Sequence, residues 1–293
     1  MAKSKQPTLR QFQDKFPTED SCLEHLMRVR FGDRHDCAGC EKSAHFYRVK
    51  ARRSYACEYC GHQVYPTADT PFHRTRTPLR DWFYVMFMFC STRNGVAAKE
   101  VERQIGVTYK TAWRMCHEIR KYMGAVDGDA PLGGEGKSVE IDETLIGGAR
   151  TGAGRGNYRA NKTVVVGMVE RGGNVMTQII PNVRKHNLLP VVTANVVEGT
   201  FVHTDQNHSY RALPSLGYQH ASVNHNRDQW VNGDSHVQSI EGFWANLKRG
   251  INGTHIHVSQ KHLSKYLGEF EFRHNRRNRS ETMIGELMTA FRK

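Results

Sequence analysis

The sequence lacks any apolar run long enough to cross a bilayer. Its longest, from Trp82 to Cys90, is nine residues, against the ~20 that a transmembrane helix needs, and it reads as a buried helix. Acidic residues are scarce beside basic ones: 29 Asp and Glu face 42 Lys and Arg, a formal charge of +13. That imbalance points to a polyanionic partner, nucleic acid or an acidic membrane surface. The absence of a basic amphipathic helix disfavours the membrane. Residues 1–10 have no apolar stretch of the kind a secretory signal carries, which predicts a cytoplasmic, nucleoid-associated protein. The seven cysteines are odd in number and argue against a disulfide scaffold. There is no internal repeat and no long low-complexity tract. A chain of 293 residues has room for about two domains.

Four of the cysteines form two C-x-x-C pairs, Cys37/Cys40 and Cys57/Cys60, with sixteen residues between them. Each pair can present two thiolates from a tight turn, and two such turns close a tetrahedral four-sulfur site for Zn²⁺. Gly39 and Gly61 fall where such turns need a permissive backbone. Short strands are expected from His45 to Val49 and from Arg53 to Ala56, which makes the module a zinc ribbon. With no open coordination position, the metal is structural. The competing readings are redox dithiols or four unrelated buried thiols. Cys22, Cys90 and Cys116 read as core residues. Arg48, Lys50, Arg52 and Arg53 form either a phosphate-contacting face or a merely soluble one.

From Pro78 to Met123 the pattern is helical. An apolar helix from Leu79 to Cys90 precedes a short one from Val96 to Ile105. A Gly106-Val107 turn then leads to a third helix from Thr108 to Tyr122, with Thr108 as N-cap. Tyr109, Lys110, Thr111 and Arg114 sit near the start of that third helix, where a helix-turn-helix meets DNA bases. Residues 76–125 hold nine Lys and Arg against four Asp and Glu, which favours DNA reading over an ordinary helical hairpin. The Gly- and Pro-rich stretch that follows reads as a linker.

Beyond it, strand patterns run from Ser138 to Thr144, Thr163 to Val169 and Val175 to Ile180. A helix from Lys185 to Asn195, a strand from Thr200 to Asp205 and a short strand from Tyr218 to Asn224 complete the series. A glycine-rich basic loop, 147–162, joins the first two strands and reads as a DNA-brushing hairpin or a loose tip. A closing helix from Ser235 to Gly250 carries Ile240, Phe243, Trp244 and Leu247 on one face. Ser235 fits its N-cap and Gln238 the partner position of a capping box. The order predicts an α/β fold: a ribonuclease-H-like catalytic domain with a mixed sheet, preceded by the small zinc ribbon and the helical helix-turn-helix domain. The expected boundaries are 1–75 for the N-terminal region with the ribbon at about 35–66, 76–125 for the helix-turn-helix, 126–137 for the linker and 138–293 for the catalytic domain.

In such a sheet Asp142 on the first strand and Asp205 ending the fourth can meet, with Glu241 of the closing helix as a third carboxylate. Three oxygen donors suit two Mg²⁺ or Mn²⁺ ions at a phosphodiester. Lys248, seven residues beyond Glu241, shares a face with it and can hold a backbone phosphate. Each acid also has a plain reading as a turn, cap or solvated residue. Glu143 is a further ligand candidate, although strand alternation points it to the opposite face from Asp142.

The spacing from Asp205 to Glu241, with Lys248 beyond, resembles the Asp-Asp-Glu signature of DDE transposases and retroviral integrases. The stretches V-E-I-D-E-T-L-I-G-G, V-H-T-D, S-I-E-G-F-W-A-N-L-K-R-G and H-L-S-K-Y-L-G-E-F-E-F-R-H-N-R-R resemble bacterial insertion-sequence transposases with an N-terminal zinc ribbon, from about Cys37 to Arg277. The resemblance implies binding to the terminal inverted repeats of an element, cleavage at its ends and joining of the 3′ hydroxyl to target DNA. It implies Asp142, Asp205 and Glu241 as metal ligands, Lys248 as companion base, and double-stranded DNA as partner. Action on two ends makes a homodimer or larger assembly the expected state. Some members of the group carry Asn near the third acid; the nearest amide here is Gln238, the alternative third ligand. Arg249, Arg276 and Arg277 are expected to contact phosphates. A catalytically retired DNA-binding regulator is the alternative function, and retention of all three acids speaks against it.

Overall fold

The computed structural model describes residues 6–128, 130–147, 162–223 and 236–291. Most of the glycine-rich 147–162 loop, and Ser235, lie outside the described residues. In chain order the elements are α1 (Leu9–Lys15), α2 (Glu19–Phe31), β1 (His35–Asp36), β2 (Ser43–Ala44), β3 (Phe46–Val49), β4 (Ser54–Cys57), β5 (Gln63–Val64), α3 (Leu79–Ser91), α4 (Ala98–Ile105) and α5 (Tyr109–Asp127). They continue as β6 (Leu132–Gly133), β7 (Ser138–Ile146), β8 (Thr163–Glu170), β9 (Val175–Ile180), α6 (Lys185–Asn195), β10 (Val196–Val197), β11 (Phe201–Asp205), β12 (Gln219–Val223), α7 (Gln238–Arg249), α8 (Gln260–Asn275) and α9 (Met283–Thr289). Compactness divides the chain into one unit of residues 1–92, 98–122 and 278–293 and another of 93–97 and 123–277.

In the first unit, Thr8 and Thr18 cap α1 and α2 with complete capping boxes. The apolar stretch around Trp82 is α3, buried on nearly every side. Its core is aromatic: Phe12 stacks on Phe87 at 5.0 Å, Phe16 meets Phe83 edge-on at 5.0 Å, and Phe72 meets Phe291 at 5.0 Å. α9 packs on α2 and α3, so the C-terminal residues group with this unit and not with the sheet. β3, β4 and β5 form the antiparallel ribbon. Between α4 and α5, Gly106 takes φ 69°, a left-handed turn that a side chain would strain. Thr108 caps α5 by accepting from Thr111 N at 3.4 Å.

The second unit is built on a five-stranded mixed sheet of order β12-β11-β7-β8-β9. β7, β8 and β9 form an antiparallel meander, and β11 and β12 add in parallel. Alternation along the strands gives two buried faces. Val139, Ile141, Val166, Met168 and Val202 pack with α6, whereas Val165, Val169 and Ile146 pack with α7 and α8. This is the ribonuclease-H-like arrangement the strand order anticipated.

Three readings need correction. α5 does not stop near Tyr122 but runs to Asp127. An acid at a helix C-terminus is unfavourable, and here it is offset by an ion pair with Arg276 and a 2.8 Å bond from Asn275. The expected linker is partly built in: Leu132 is buried and β6 pairs with β10. The closing helix opens at Gln238, with Val237 at the N-cap position and no cap bond from its side chain, so Gln238 is the first helical residue and not the third that a capping box needs.

Candidate active site

Asp142 lies in the middle of β7, where its register partner across β8 is Gly167. On the other side the parallel pairing sets Thr204 beside Ile141, so Asp205, the next residue and the last of β11, comes alongside Asp142. Because β11 ends there, the remainder of β7 has, among the described residues, a strand only on its β8 side. Carboxylates from both faces of β7 can therefore reach the same edge. One oxygen each from Asp142, Glu143 and Asp205 lies within 4.8 Å of the others. Alternation does send Glu143 to the opposite face, yet its carboxylate reaches the cluster around the strand edge.

Each acid is held separately. The Trp244 indole N–H donates to Asp142 Oδ2 at 3.1 Å, the Tyr210 hydroxyl to Glu143 Oε1 at 2.6 Å, and the Asn207 backbone N–H to Asp205 Oδ1 at 3.0 Å. Burial, then the charge of Asp205, pushes Asp142 up to about 6, against the Trp244 bond. Burial also pushes Glu143 up to about 7, opposed by the Tyr210 hydroxyl and reinforced by Asp205 and Asp142. Burial, and then the Glu143 charge, holds the Tyr210 phenol well above its ordinary value. Half-buried carboxylates that repel one another and offer hard oxygen donors fit a divalent cation.

Glu241 sits in the first turn of α7, one turn before Trp244. Its charge reaches Asp142 and raises that carboxyl, but its carboxylate is outside the 4.8 Å group. Gln238 is exposed at the helix start. Lys248 and Arg249 are exposed in the last turn. Seven residues of helix put Lys248 about 10 Å along the axis from Glu241, a separation that suits a flanking phosphate better than a shared ion.

Of the residues expected to contact DNA, Tyr109, Lys110 and Arg114 are exposed at the start of α5, and Thr111 is half-buried. Lys99 lies over the Tyr109 ring at 5.0 Å, and Arg114 over Trp82 at 5.6 Å. Trp113, which the sequence reading passed over, is exposed on the same turn and stacks on His117 at 4.7 Å. Arg276 is a correction: it is 4 % exposed, pairs with Asp127, donates to Val126 O at 3.2 Å and lies over Phe272. It is a buried structural cation. Arg277 is exposed but donates to Gly173 O at 2.9 Å and His274 O at 2.7 Å. In the ribbon's basic cluster, Arg48 and Arg53 are engaged by Asp20 and Glu19.

The second metal candidate is the ribbon itself, where the sulfurs of Cys37, Cys40, Cys57 and Cys60 lie within 4.8 Å of one another. The Cys37–Cys60 and Cys40–Cys57 separations are 3.5 and 3.8 Å, close to the ~3.8 Å edge of a tetrahedron with ~2.3 Å Zn–S bonds. Gly39 N and Tyr59 N each donate to the first sulfur of their knuckle at 3.4 Å. The left-handed positions are Glu41 (φ 56°) and Gly61 (φ 72°), each following its second cysteine. Gly39 serves space instead, since a Cβ there would lie 2.9 Å from His62 Cβ.

A five-stranded mixed sheet with clustered carboxylates, in a chain that also builds a four-cysteine ribbon, defines a ribonuclease-H-like protein with a zinc-ribbon-like module. The sequence comparisons agree. The profile of the ISXO2-like transposase domain matches residues 131–275, and that of the transposase zinc-ribbon domain matches residues 17–63. A transposase-like protein of Haemophilus influenzae is 31% identical over 104 residues, 34% of this chain and 80% of that protein. A protein of transposable element ISH50 from Halobacterium salinarum is 26% identical over 279 residues, 88% of this chain and 91% of that protein. The chain belongs to the ISXO2-like DDE transposase family.

Proposed function

We propose that this transposase binds duplex DNA at the terminal inverted repeats of its element, cleaves phosphodiester bonds at the ends and joins the 3′ hydroxyl to target DNA. The observation that carries the reading is the convergence of Asp142, Glu143 and Asp205 beside the helix that bears Glu241. Asp142 and Asp205 would hold two Mg²⁺ or Mn²⁺ ions, with Glu241 closing the site and Gln238 the alternative at its edge. Glu143 adds a fourth carboxylate. When bound, such ions supply an activated oxygen nucleophile and Lewis-acid stabilisation of the phosphoryl charge. Trp244 and Tyr210 fix the orientation of Asp142 and Glu143, and Lys248 and Arg249 bind the flanking backbone. Tyr109, Lys110, Thr111 and Arg114 read the end sequence from α5, and structural Zn²⁺ holds the ribbon. Joining two ends calls for a dimer or larger assembly on DNA.

The test is incubation with labelled element ends, with and without Mg²⁺, and mapping of the cut positions. The expected result is metal-dependent cleavage at the termini. It should be lost in Asp142→Asn, Asp205→Asn and Glu241→Gln while end binding persists, and retained in Gln238→Ala. End binding without cleavage in any divalent ion would make the chain a DNA-binding regulator instead.

A further inference from the structure

Two residues before Asp142 and on the same face of β7, Glu140 is a fully buried carboxylate. Its partners come from three segments. Oε2 accepts from Ser239 N at 2.7 Å and from Ile240 N at 3.2 Å, and Oε1 accepts from Ser239 Oγ at 3.1 Å. Arg171, in the turn after β8, donates to Oε1 at 2.8 Å and also to His236 O at 2.9 Å. His236 Nδ1 stands 3.1 Å from Oε1. His203, the register partner of Glu140 on β11, is buried beside the group.

The first amides of a helix have no partner within the helix and carry the positive end of its dipole. Val237, at the N-cap position of α7, makes no side-chain cap bond, and a carboxylate from the sheet, 99 and 100 residues away, satisfies Ser239 and Ile240. The residue after Ile240 is Glu241, and one turn later Trp244 bonds Asp142. A single β-strand therefore both contributes Asp142 and grips the helix opposite it. Well-packed apolar residues would hold a helix end without the cost of burying a charge. What the carboxylate adds is direction, fixing the height and rotation of the helix.

We propose that Glu140, backed by Arg171, is a positioning residue: it sets the placement of Glu241 and Trp244 against the Asp142–Asp205 edge. This rests on the metal-dependent cleavage proposed above. The experiment compares the wild type with Glu140→Ala and Glu140→Gln by three measurements: amide hydrogen exchange, Mn²⁺ titration calorimetry and end cleavage.

In Glu140→Ala, exchange in the peptide covering 236–241 should rise about tenfold, as expected for a lost cap, with the β8 peptide unchanged. Mn²⁺ affinity should fall about tenfold, and the cleavage rate should fall about 10- to 100-fold at unchanged end affinity. Glu140→Gln keeps one acceptor for Ser239 N–H and should fall between the two. Wild-type Mn²⁺ affinity and cleavage despite a deprotected helix start would overturn the proposal. So would a loss of protection extending through β8, which marks a merely structural residue. If the wild-type chain does not cleave at all, the functional reading fails, while the exchange and Mn²⁺ data still decide whether Glu140 positions the site.

Discussion

Trp244 and Asp142 are 102 residues apart in sequence and joined by a 3.1 Å hydrogen bond from indole N–H to carboxylate. The bond ties the helix that carries Glu241 to the strand that carries the central acid, and it opposes the burial that raises Asp142 to about 6. Trp244→Phe keeps the apolar contact and removes the donor. A lost bond to a charged group is about 1.5 kcal/mol, or roughly one pKa unit. The Asp142 carboxyl should rise further, and the acidic limb of the cleavage profile should move to higher pH by about that amount. An unmoved limb would show that the bond does not tune this acid.

Room for that indole is made on the neighbouring strand. A Cβ at Gly167 would stand 2.5 Å from Trp244 Cζ2 and 2.8 Å from Ile240 Cδ1. Gly167→Ala should therefore destabilise the second unit by about 1–3 kcal/mol, as overpacking does, and lift α7 off β8. Chemical denaturation should show that Trp244→Phe recovers part of the loss. Simple additivity of the two changes would mean they do not share the space.

Much of this arrangement is local and could be read from sequence. Alternation and turn residues marked β7, β8, β9 and β11 to within a residue or two, and the C-x-x-C spacing marked the ribbon. Asp205 could be paired with Asp142 because the order of elements makes their strands neighbours in the sheet. The readings that failed depend on partners distant in sequence. Gln238 reads as half of a capping box because the carboxylate that meets the first helix amides, Glu140, comes from a strand far away in sequence. Arg276 looked like a phosphate ligand because Asp127, which buries it, is 149 residues away. Alternation alone points Glu143 to the face opposite Asp142, since sequence does not show that β7 runs on past the end of β11 with that edge uncovered. One signal was available: Glu140 stands between Val139 and Ile141 in an apolar strand, where a charge needs a dedicated partner.

Glu143 is the acid whose role separates this site from a three-carboxylate one. Its donor is Tyr210, fully buried and 2.6 Å away. Glu143→Gln should weaken Mn²⁺ binding by about tenfold or more. Tyr210→Phe, which leaves the carboxylate in place but unoriented, should have an effect of about tenfold. Calorimetry on the folded variants reads both. Wild-type affinity in Glu143→Gln would return the site to Asp142, Asp205 and Glu241.

The ribbon predicts a separate metal dependence. Four sulfurs gathered without a metal would repel as thiolates, so zinc is folding energy for this module. Chelation, or Cys57→Ser, should release one zinc and abolish the circular dichroism and exchange protection of 35–66. The carboxylate site of the second unit should still bind Mn²⁺. Full protection of the ribbon after chelation would contradict the structural assignment.

Acid should destabilise the fold through histidines held neutral. Burial lowers His25, His203 and His274 to about 4 from 6.5. His25 is packed edge-on against Phe16 at 5.3 Å, and His274 against Phe243 at 5.5 Å. At these three positions, between pH 6.5 and 4, the unfolded chain binds more protons than the folded one. The stability these residues contribute is therefore complete above 6.5 and is lost as pH falls toward 4. Asp142 and Glu143, raised to about 6 and 7, run the other way, because the folded chain takes up their protons first. A bound cation keeps those two ionised, so Mg²⁺ should raise the melting temperature at pH 8 and lose that effect as pH drops through 7 to 6. Melting curves from pH 8 to 4, with Mg²⁺ and with chelator, separate the two contributions. In His25→Gln the acid loss should be shallower, and an Mg²⁺ effect that persists unchanged at pH 5 would show that Asp142 and Glu143 do not hold the ion.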